Sequence, residues 1–360
     1  MSERIYNFNA GPATLPLEVL SKAQSELLNY KNSGMSVMEI SHRSKDYEEI
    51  NNKAIGFFKE LMGLDDSYKV MFMGGGASSQ FALMPMNFLA ADKTAAYIDT
   101  GAWSEKAINE AQKFGSIHLA GSSKEKNYRA IPNIDSLEIP DKAEYLHLTS
   151  NNTIFGSQWQ SYPSTNLPLF CDMSSDILSR KLNYTDFSFI YAGSQKNLGP
   201  AGVTIVIAKN SLLEKCNSDI PLIFNYNTHA RANSLYNTPP VFPIYMVMLV
   251  LEWIKDKGGL EAVEKENAAK KDCIYGLMDD NSDFYRGIVE KESRSWMNIT
   301  MRLPSEDLES KFITEAKAAG FGGLKGHRSV GGVRVSLYNA MPLVGAEKLA
   351  EFMLGFKKRN

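Results

Sequence analysis

The stretch Tyr191-Ala-Gly-Ser-Gln-Lys-Asn-Leu-Gly-Pro-Ala201 decides how the chain is read. Phe187-Ser-Phe-Ile-Tyr191 precedes it and Gly202-Val-Thr-Ile-Val-Ile-Ala208 follows it, and both runs predict buried strands. Lys196 therefore lies on a connection between two core elements, not on a solvated helix face. A lysine so placed is either a satisfied structural group or a reactive amine. Reactive lysines form Schiff bases, and burial helps by lowering the amine pKa.

Outward from this stretch, strands alternate with helices. Tyr68–Met73, 95–99, 144–148 and 168–171 predict strands, while 16–30, 46–62, 80–89 and 105–113 predict helices. Polar clusters follow several strands at their C-terminal ends: Gly74-Gly-Gly-Ala-Ser-Ser79, Thr100-Gly-Ala-Trp103, Thr149-Ser-Asn-Asn-Thr153 and Asp172-Met-Ser-Ser-Asp176. The alternation predicts an α/β sheet, mostly parallel, and in such sheets ligands bind at those ends. A helical region over about 242–279 leads into a β–α–β–α tail with strands at 295–301 and 332–337 and helices at 306–319 and 344–357.

Length and composition bound the function. A chain of 360 residues is long enough for a large domain and a smaller one. A formal net charge of −2 gives no reason to expect nucleic acid or an anionic membrane as partner. The three cysteines, Cys171, Cys216 and Cys273, form no C-x-x-C pair, so neither a disulfide framework nor a zinc site is expected. The N-terminus lacks a signal-type apolar core, and the longest apolar run, 241–251, is too short to span a bilayer. The expected setting is the cytoplasm.

Several residues carry candidate chemistry. Gly74-Gly75-Gly76 between a strand and a helix can bring a phosphate close to free backbone amides, or simply make a tight turn. It is neither a P-loop nor a complete dinucleotide fingerprint. Asp172 at a strand end can pair with a pyridinium nitrogen or cap the following turn. Trp103 can stack on a flat ring or serve as core. His42-Arg43 and His327-Arg328 are basic pairs suited to a phosphate or carboxylate, or are surface charge. Arg334 alternates with Val333 and Val335 on a strand and can bind a carboxylate. No metal-binding constellation is evident.

Taken together these residues look like a pyridoxal-phosphate enzyme. The chain more specifically resembles the phosphoserine aminotransferase family, class V aminotransferases of fold-type I. The resemblance covers nearly the whole length. It rests on Asn7-Phe-Asn-Ala-Gly-Pro-Ala13, Glu39-Ile-Ser-His-Arg43, Phe81, the Lys196 stretch, Tyr236-Asn-Thr-Pro-Pro240, and Lys325-Gly-His-Arg-Ser-Val-Gly-Gly332 running to Tyr338-Asn-Ala-Met-Pro342. The Lys196 stretch marks the class; the Gly-His-Arg block and His42-Arg43 are more specific to this one family.

The resemblance implies a large domain over 16–258 and a small domain from 1–15 and 259–360. It implies that Lys196 holds pyridoxal 5′-phosphate (PLP) covalently and is the catalytic base and acid. Asp172 pairs with the ring nitrogen, Trp103 stacks on the ring and Thr153 hydrogen-bonds its hydroxyl. Ala77, Ser78 and Gln195 hold the phosphate, joined by Asn237 and Thr238 from the neighbouring subunit of a homodimer. His42, Arg43, His327 and Arg328 bind the substrate's phosphate or glutamate's side-chain carboxylate, and Arg334 binds the α-carboxylate. The implied reaction is amino transfer between L-glutamate and 3-phosphohydroxypyruvate, with phosphohydroxythreonine of vitamin B6 synthesis left open. Some members have Gly-Arg at the positions of Ala77-Ser78, which shifts phosphate binding here onto the histidine–arginine pairs. Others carry a serine at the position of Ala10, where the backbone amide can still serve. A cysteine desulfurase is the nearest rival in the class, but Cys273 falls in an apparent helix. A dehydrogenase would need the missing glycine fingerprint, and a dead binding protein would be expected to have lost Lys196 or Asp172.

Overall fold

The computed structural model describes residues 4–360. Its centre is a seven-stranded sheet whose order is Tyr68–Met73, Thr204–Lys209, Phe189–Gly193, Leu169–Asp172, Leu146–Thr149, Thr94–Asp99, Ser116–Ser122. The last five run parallel. Thr204–Lys209 runs antiparallel to both of its neighbours. The two strands flanking Lys196 are thus an antiparallel pair, Tyr191 opposite Val206, and the lysine sits on the turn that joins them. Ser116–Ser122 has no clear signature in the sequence. It is an edge strand in which Ile117 is half-buried, Leu119 exposed and only Ala120 fully buried, so its apolar residues mark no buried face.

Helices cover both faces. Lys45–Met62 shows how the sequence sets such a helix. Its buried residues Tyr47, Ile50, Ala54, Phe58 and Met62 recur three and four apart. Ser44 caps it by accepting from the Tyr47 N–H, Asp46 and Glu48 face the positive end of its dipole, and Gly63 ends it at φ 64°. It packs with Val241–Asp256 against one face of the sheet. Gly76–Phe88 and Ala102–Ala111 cover the other face. There Phe170 stacks on Tyr145 with ring centroids 4.4 Å apart and meets Phe88 edge-on at 5.4 Å.

Three expected boundaries move. The helix expected at 80–89 begins at Gly76, because Gly75 and Gly76 take positive φ and let the chain turn straight from strand to helix. The helical region over 242–279 is two helices, Val241–Asp256 and Gly259–Asp280, parted where Gly258 and Gly259 take φ 104° and 72°. The helix expected over 16–30 stops at Glu26, and Tyr30–Asn32 forms a 3-10 turn with Lys31 and Asn32 at positive φ.

A separate core gathers around the antiparallel strands Arg286–Gly287, Asn298–Arg302 and Val333–Ser336 and the helices Glu306–Ala318 and Leu343–Arg359. Phe8 is buried in this core, and Tyr6–Asn7 pairs in parallel with Phe321–Gly322, so the start of the chain packs on its end. The Gly259–Asp280 helix serves both cores, with Leu260 and Val263 in the first and Ile274 and Met278 in the second. Among the described residues no helix is long and apolar enough to cross a membrane, and no cluster of three ligand-type side chains could hold a metal.

Phe170 has no exposed surface and is ringed by Phe88, Tyr145 and Phe189. Phe170→Ala is expected to destabilise the fold by about 3–5 kcal/mol in denaturant unfolding, and a cost below about 1 kcal/mol would contradict this packing.

Candidate active site

The loops at the C-terminal ends of the parallel strands meet around Lys196. Leu169–Asp172 lies between Leu146–Thr149 and Phe189–Gly193, with Thr149 opposite Asp172 and Asp172 opposite Tyr191. Asp172 therefore ends its strand at the same edge from which the Lys196 turn departs. That turn is tightly held. Leu198 and Gly199 both donate to the Ser194 carbonyl, at 3.1 and 2.9 Å, and Ser194 donates from its N–H to Val203. The N-terminal segment lies across it: Ala13 N–H donates to the Gln195 carbonyl at 2.9 Å. Gly11 sits at φ 144°, and a Cβ there would stand 3.2 Å from the Lys196 Cγ. Glycine gives the segment this close approach to the lysine stem.

Lys196 and Asp172 face each other electrostatically. Burial lowers the Lys196 pKa to about 8, with the Asp172 charge opposing the shift and Arg334 adding to it. Burial raises the Asp172 pKa, opposed by Lys196 and by the Ser174 N–H, which donates to Oδ1 at 2.9 Å. Lys196 itself is half-buried, so its amine is shielded from bulk water yet open to the site. Neither group takes part in a direct ion pair among the described residues.

Trp103 and Thr153 border the same space. The Lys196 Nζ lies 5.3 Å from the centre of the Trp103 ring and the Lys106 Nζ lies 4.6 Å from it. Trp103 Nε1 donates to Thr153 Oγ1 at 3.0 Å, which leaves the threonine's own hydroxyl hydrogen free to donate. Gly101 makes this placement possible: at φ 144°, its Cβ would fall 2.0 Å from Asn152 Nδ2. Ser104 then accepts from the N–H groups of Thr100 and Gly101 and donates to Asp99 at 2.8 Å, fixing the helix that carries Trp103.

Ala77 and Ser78 occupy the first turn of a 13-residue helix, where N–H groups have no intrahelical partner. Ser78 is exposed and Ala77 half-buried. Gln195 folds its side chain back over Gly193, whose Cβ position would stand 2.6 Å from Gln195 Oε1. Asn237 and Thr238 are exposed, and Asn237 shares a cavity of about 290 Å³ with Gly74, Gly75 and Ser79.

A group of cations stands beside this space. Arg334 is half-buried, donates from Nη1 to the Thr153 carbonyl at 3.0 Å, and has a buried Nε without a partner. Burial lowers the His327 pKa, and the charges of Arg334, Arg328 and Lys106 add to the shift. His327 Nδ1 is hydrogen-bonded to Ser329 Oγ at 2.7 Å. Lys106 was not evident in the sequence. Its signal is its position three residues after Trp103 on one helix face. His42 and Arg43 lie in the Ser41–Ser44 turn before the Lys45–Met62 helix, and among the described residues no hydrogen bond joins them to this cluster.

The arrangement offers an amine of low basicity, a carboxylate across from it, a stacking indole, a free hydroxyl donor, a helix N-terminus and an unpaired arginine Nε. Those groups suit a flat, phosphorylated, basic ring. The chain matches the family model described as Aminotransferase class-V over residues 5–349. It is 54% identical over 358 residues to the phosphoserine aminotransferase of Bacillus subtilis (strain 168), covering 99% of each chain. The structure of phosphoserine aminotransferase from Bacillus circulans subsp. alkalophilus superposes with a TM-score of 0.98 at 51% identity, covering 99% of each chain. The PLP-bound phosphoserine aminotransferase of Trichomonas vaginalis superposes with a TM-score of 0.92 at 35% identity, covering 98% of this chain and all of that one. The chain belongs to the phosphoserine aminotransferase family, within the class V aminotransferases.

Proposed function

We propose that the residues around Lys196 carry out phosphoserine transamination, moving the amino group between L-glutamate and 3-phosphohydroxypyruvate to give O-phospho-L-serine and 2-oxoglutarate. The observation that carries this reading is the pairing across the sheet edge of a lysine with a lowered pKa and a carboxylate with which it makes no ion pair.

PLP, the cofactor of this enzyme class, supplies an electron sink for the pair left behind when a proton leaves the amino acid's Cα. Lys196 Nζ would hold it covalently and, when freed, would take the proton from the substrate Cα. A pKa near 8 suits that amine to both taking and returning a proton near neutral pH. The buried Asp172 carboxylate would keep a proton on the ring nitrogen. The Trp103 indole would stack on the ring, and the free Thr153 hydroxyl hydrogen would serve its phenolic oxygen. The first-turn N–H groups at Ala77 and Ser78, with the Gln195 side chain, hold the phosphate. In this reading Asn237 of the partner subunit and Thr238 of the partner subunit complete that phosphate site, so the active unit is a homodimer. The exposure of both residues supports it.

The substrate's α-carboxylate fits the unpartnered Arg334 Nε. Its distal anion, phosphate in one substrate and carboxylate in the other, falls to His327 and Arg328. In this reading His42 of the partner subunit and Arg43 of the partner subunit join them; within the chain Arg43 is exposed and His42 half-buried, which leaves both open to a second chain. Exposed Met35 and Met38 on the same loop fit an interface there. The two cores suggest the division 16–258 against 1–15 with 259–360, with substrate held between them.

The direct test is phosphoserine formation by the Lys196→Ala variant, expected to fall by more than about 10⁴-fold. Normal turnover would refute the assignment. Arg328→Ala is expected to raise the KM for 3-phosphohydroxypyruvate about 10- to 100-fold while changing that for unphosphorylated hydroxypyruvate far less, as lost charged hydrogen bonds of about 1.5–3 kcal/mol require. Equal losses would argue against a phosphate pocket. Because the neutral amine is the nucleophile, capture of PLP by the cofactor-free protein should speed up with pH as far as about 8 and level off above it. A rate that does not change through that range would contradict the lowered lysine pKa.

A further inference from the structure

The block Tyr338-Asn-Ala-Met-Pro342 has no part in the chemistry above, yet its polar groups converge on the residues next to Lys196. The chain leaves the Val333–Ser336 strand, which carries Arg334, and turns inward. Tyr338, Asn339 and Met341 are all buried. The Asn339 N–H donates to Asn197 Oδ1 at 2.9 Å, its Nδ2 donates to the Leu178 carbonyl at 2.9 Å, and its Oδ1 accepts from Asn267 Nδ2 at 2.8 Å. Every polar group of Asn339's side chain is thus engaged. Asn197 follows Lys196 directly. Its remaining amide group donates to the Ile177 carbonyl at 2.7 Å, so the side chain is held at both ends.

The other flank of the lysine is held by Tyr338. Its hydroxyl donates to the Ala10 carbonyl at 2.7 Å and accepts from Asn298 Nδ2 at 3.2 Å. Ala10 precedes Gly11, the residue that packs on the Lys196 stem. Lys270 secures the block from behind. It is fully buried and donates to the Tyr338 and Met341 carbonyls at 2.9 and 3.0 Å. Burial lowers its pKa to about 7, and the two N–H groups of an uncharged amine match those two carbonyls.

We propose that Asn197, Asn339 and Tyr338 form a buried clamp that positions Lys196. Asn339 fixes the residue after the lysine, and Tyr338 fixes the segment lying on its stem. Asn197 and Asn339 are positioning residues, which act through Lys196 and spend their side-chain groups on protein partners. The functional role rests on Lys196 being the cofactor-holding amine, whereas the clamp itself does not. The side-chain polar groups of Asn197, Asn339 and Tyr338 are all engaged, which stiffens them, and a reacting group displaced by about 1 Å can lose about 10²-fold in rate.

Two measurements test it on the full chain. In the first, the PLP-free protein is acylated with acetic anhydride over a pH series and modification of Lys196 is read by mass spectrometry. The unaltered protein should show a midpoint near about 8. Asn197→Ala and Asn339→Ala should move it up toward the ordinary lysine value of about 10.4, because the freed amine swings toward water. An unchanged midpoint in both variants overturns the clamp. In the second, the PLP-loaded variants should lose about 10- to 100-fold in kcat with the KM for L-glutamate held within about threefold, since Arg334 is untouched. The double variant should lose no more than the worse single one. Additive losses overturn the clamp, as does a loss confined to KM. Tyr338→Phe removes only the hydroxyl that donates to the Ala10 carbonyl, is expected to fold where alanine does not, and should also lose kcat with the KM for L-glutamate held. A Tyr338→Phe variant with full kcat counts against the clamp. A protein that shows the acylation shift but never takes up PLP refutes the assigned chemistry and leaves the clamp standing.

Discussion

A half-buried lysine and a buried carboxylate stand at one sheet edge without a direct ion pair between them. Burying two charges costs free energy that only close pairing would offset, and Lys196 and Asp172 stop short of it. The strain appears as opposite pKa shifts, the lysine toward its neutral form and the aspartate toward its protonated form. A basic heteroaromatic ring between them would answer both, taking the lysine nitrogen at one end and hydrogen-bonding the carboxylate at the other. Much of the surrounding structure serves to hold these two groups apart. The parallel strands deliver Asp172, the antiparallel return through Thr204–Lys209 closes the Lys196 turn, and Gly11 lets the N-terminal segment cover the lysine stem.

The second constraint is charge. His327, Arg328, Arg334 and Lys106 are close enough for the three cations to push the histidine pKa down. None of the four forms an ion pair with an acid among the described residues. An array of like charges is unfavourable until anions arrive. Two substrates that share an α-carboxylate and differ in a distal phosphate or carboxylate meet that need, and arginine accepts both oxyanions in the same forked geometry.

Local motifs made much of this legible in the sequence. Lys196 stands out because apolar strands flank it within a few residues, and Asp172 because it ends another such strand. The glycines at 74–76 announce a close approach, although their sequence hides that the helix begins at Gly76 and so presents Ala77 and Ser78 as free donors. What stayed hidden depends on long-range packing. Ser116–Ser122 is an edge strand whose apolar residues, Ile117, Leu119 and Ala120, show no alternation of buried and exposed positions. The antiparallel course of Thr204–Lys209 is the exception, since the connection over 194–203 is too short for the crossover that a parallel neighbour needs. The break at Gly258 lies inside a run of good helix formers, where two positive φ values decide. The contacts of Asn339 to Asn197 and of Tyr338 to Ala10 join residues 142 and 328 positions apart, which no local pattern encodes.

The central claim is that one site binds PLP between Lys196 and Asp172 and passes an amino group from glutamate to a phosphorylated keto acid. The most direct measurement is the absorbance of the PLP-loaded protein during alternate additions of the two substrates. The band of the lysine-bound cofactor should vanish when L-glutamate is added and return when 3-phosphohydroxypyruvate follows, with phosphoserine appearing in matching amount. A band indifferent to glutamate, or one that returns without phosphoserine, would contradict the account.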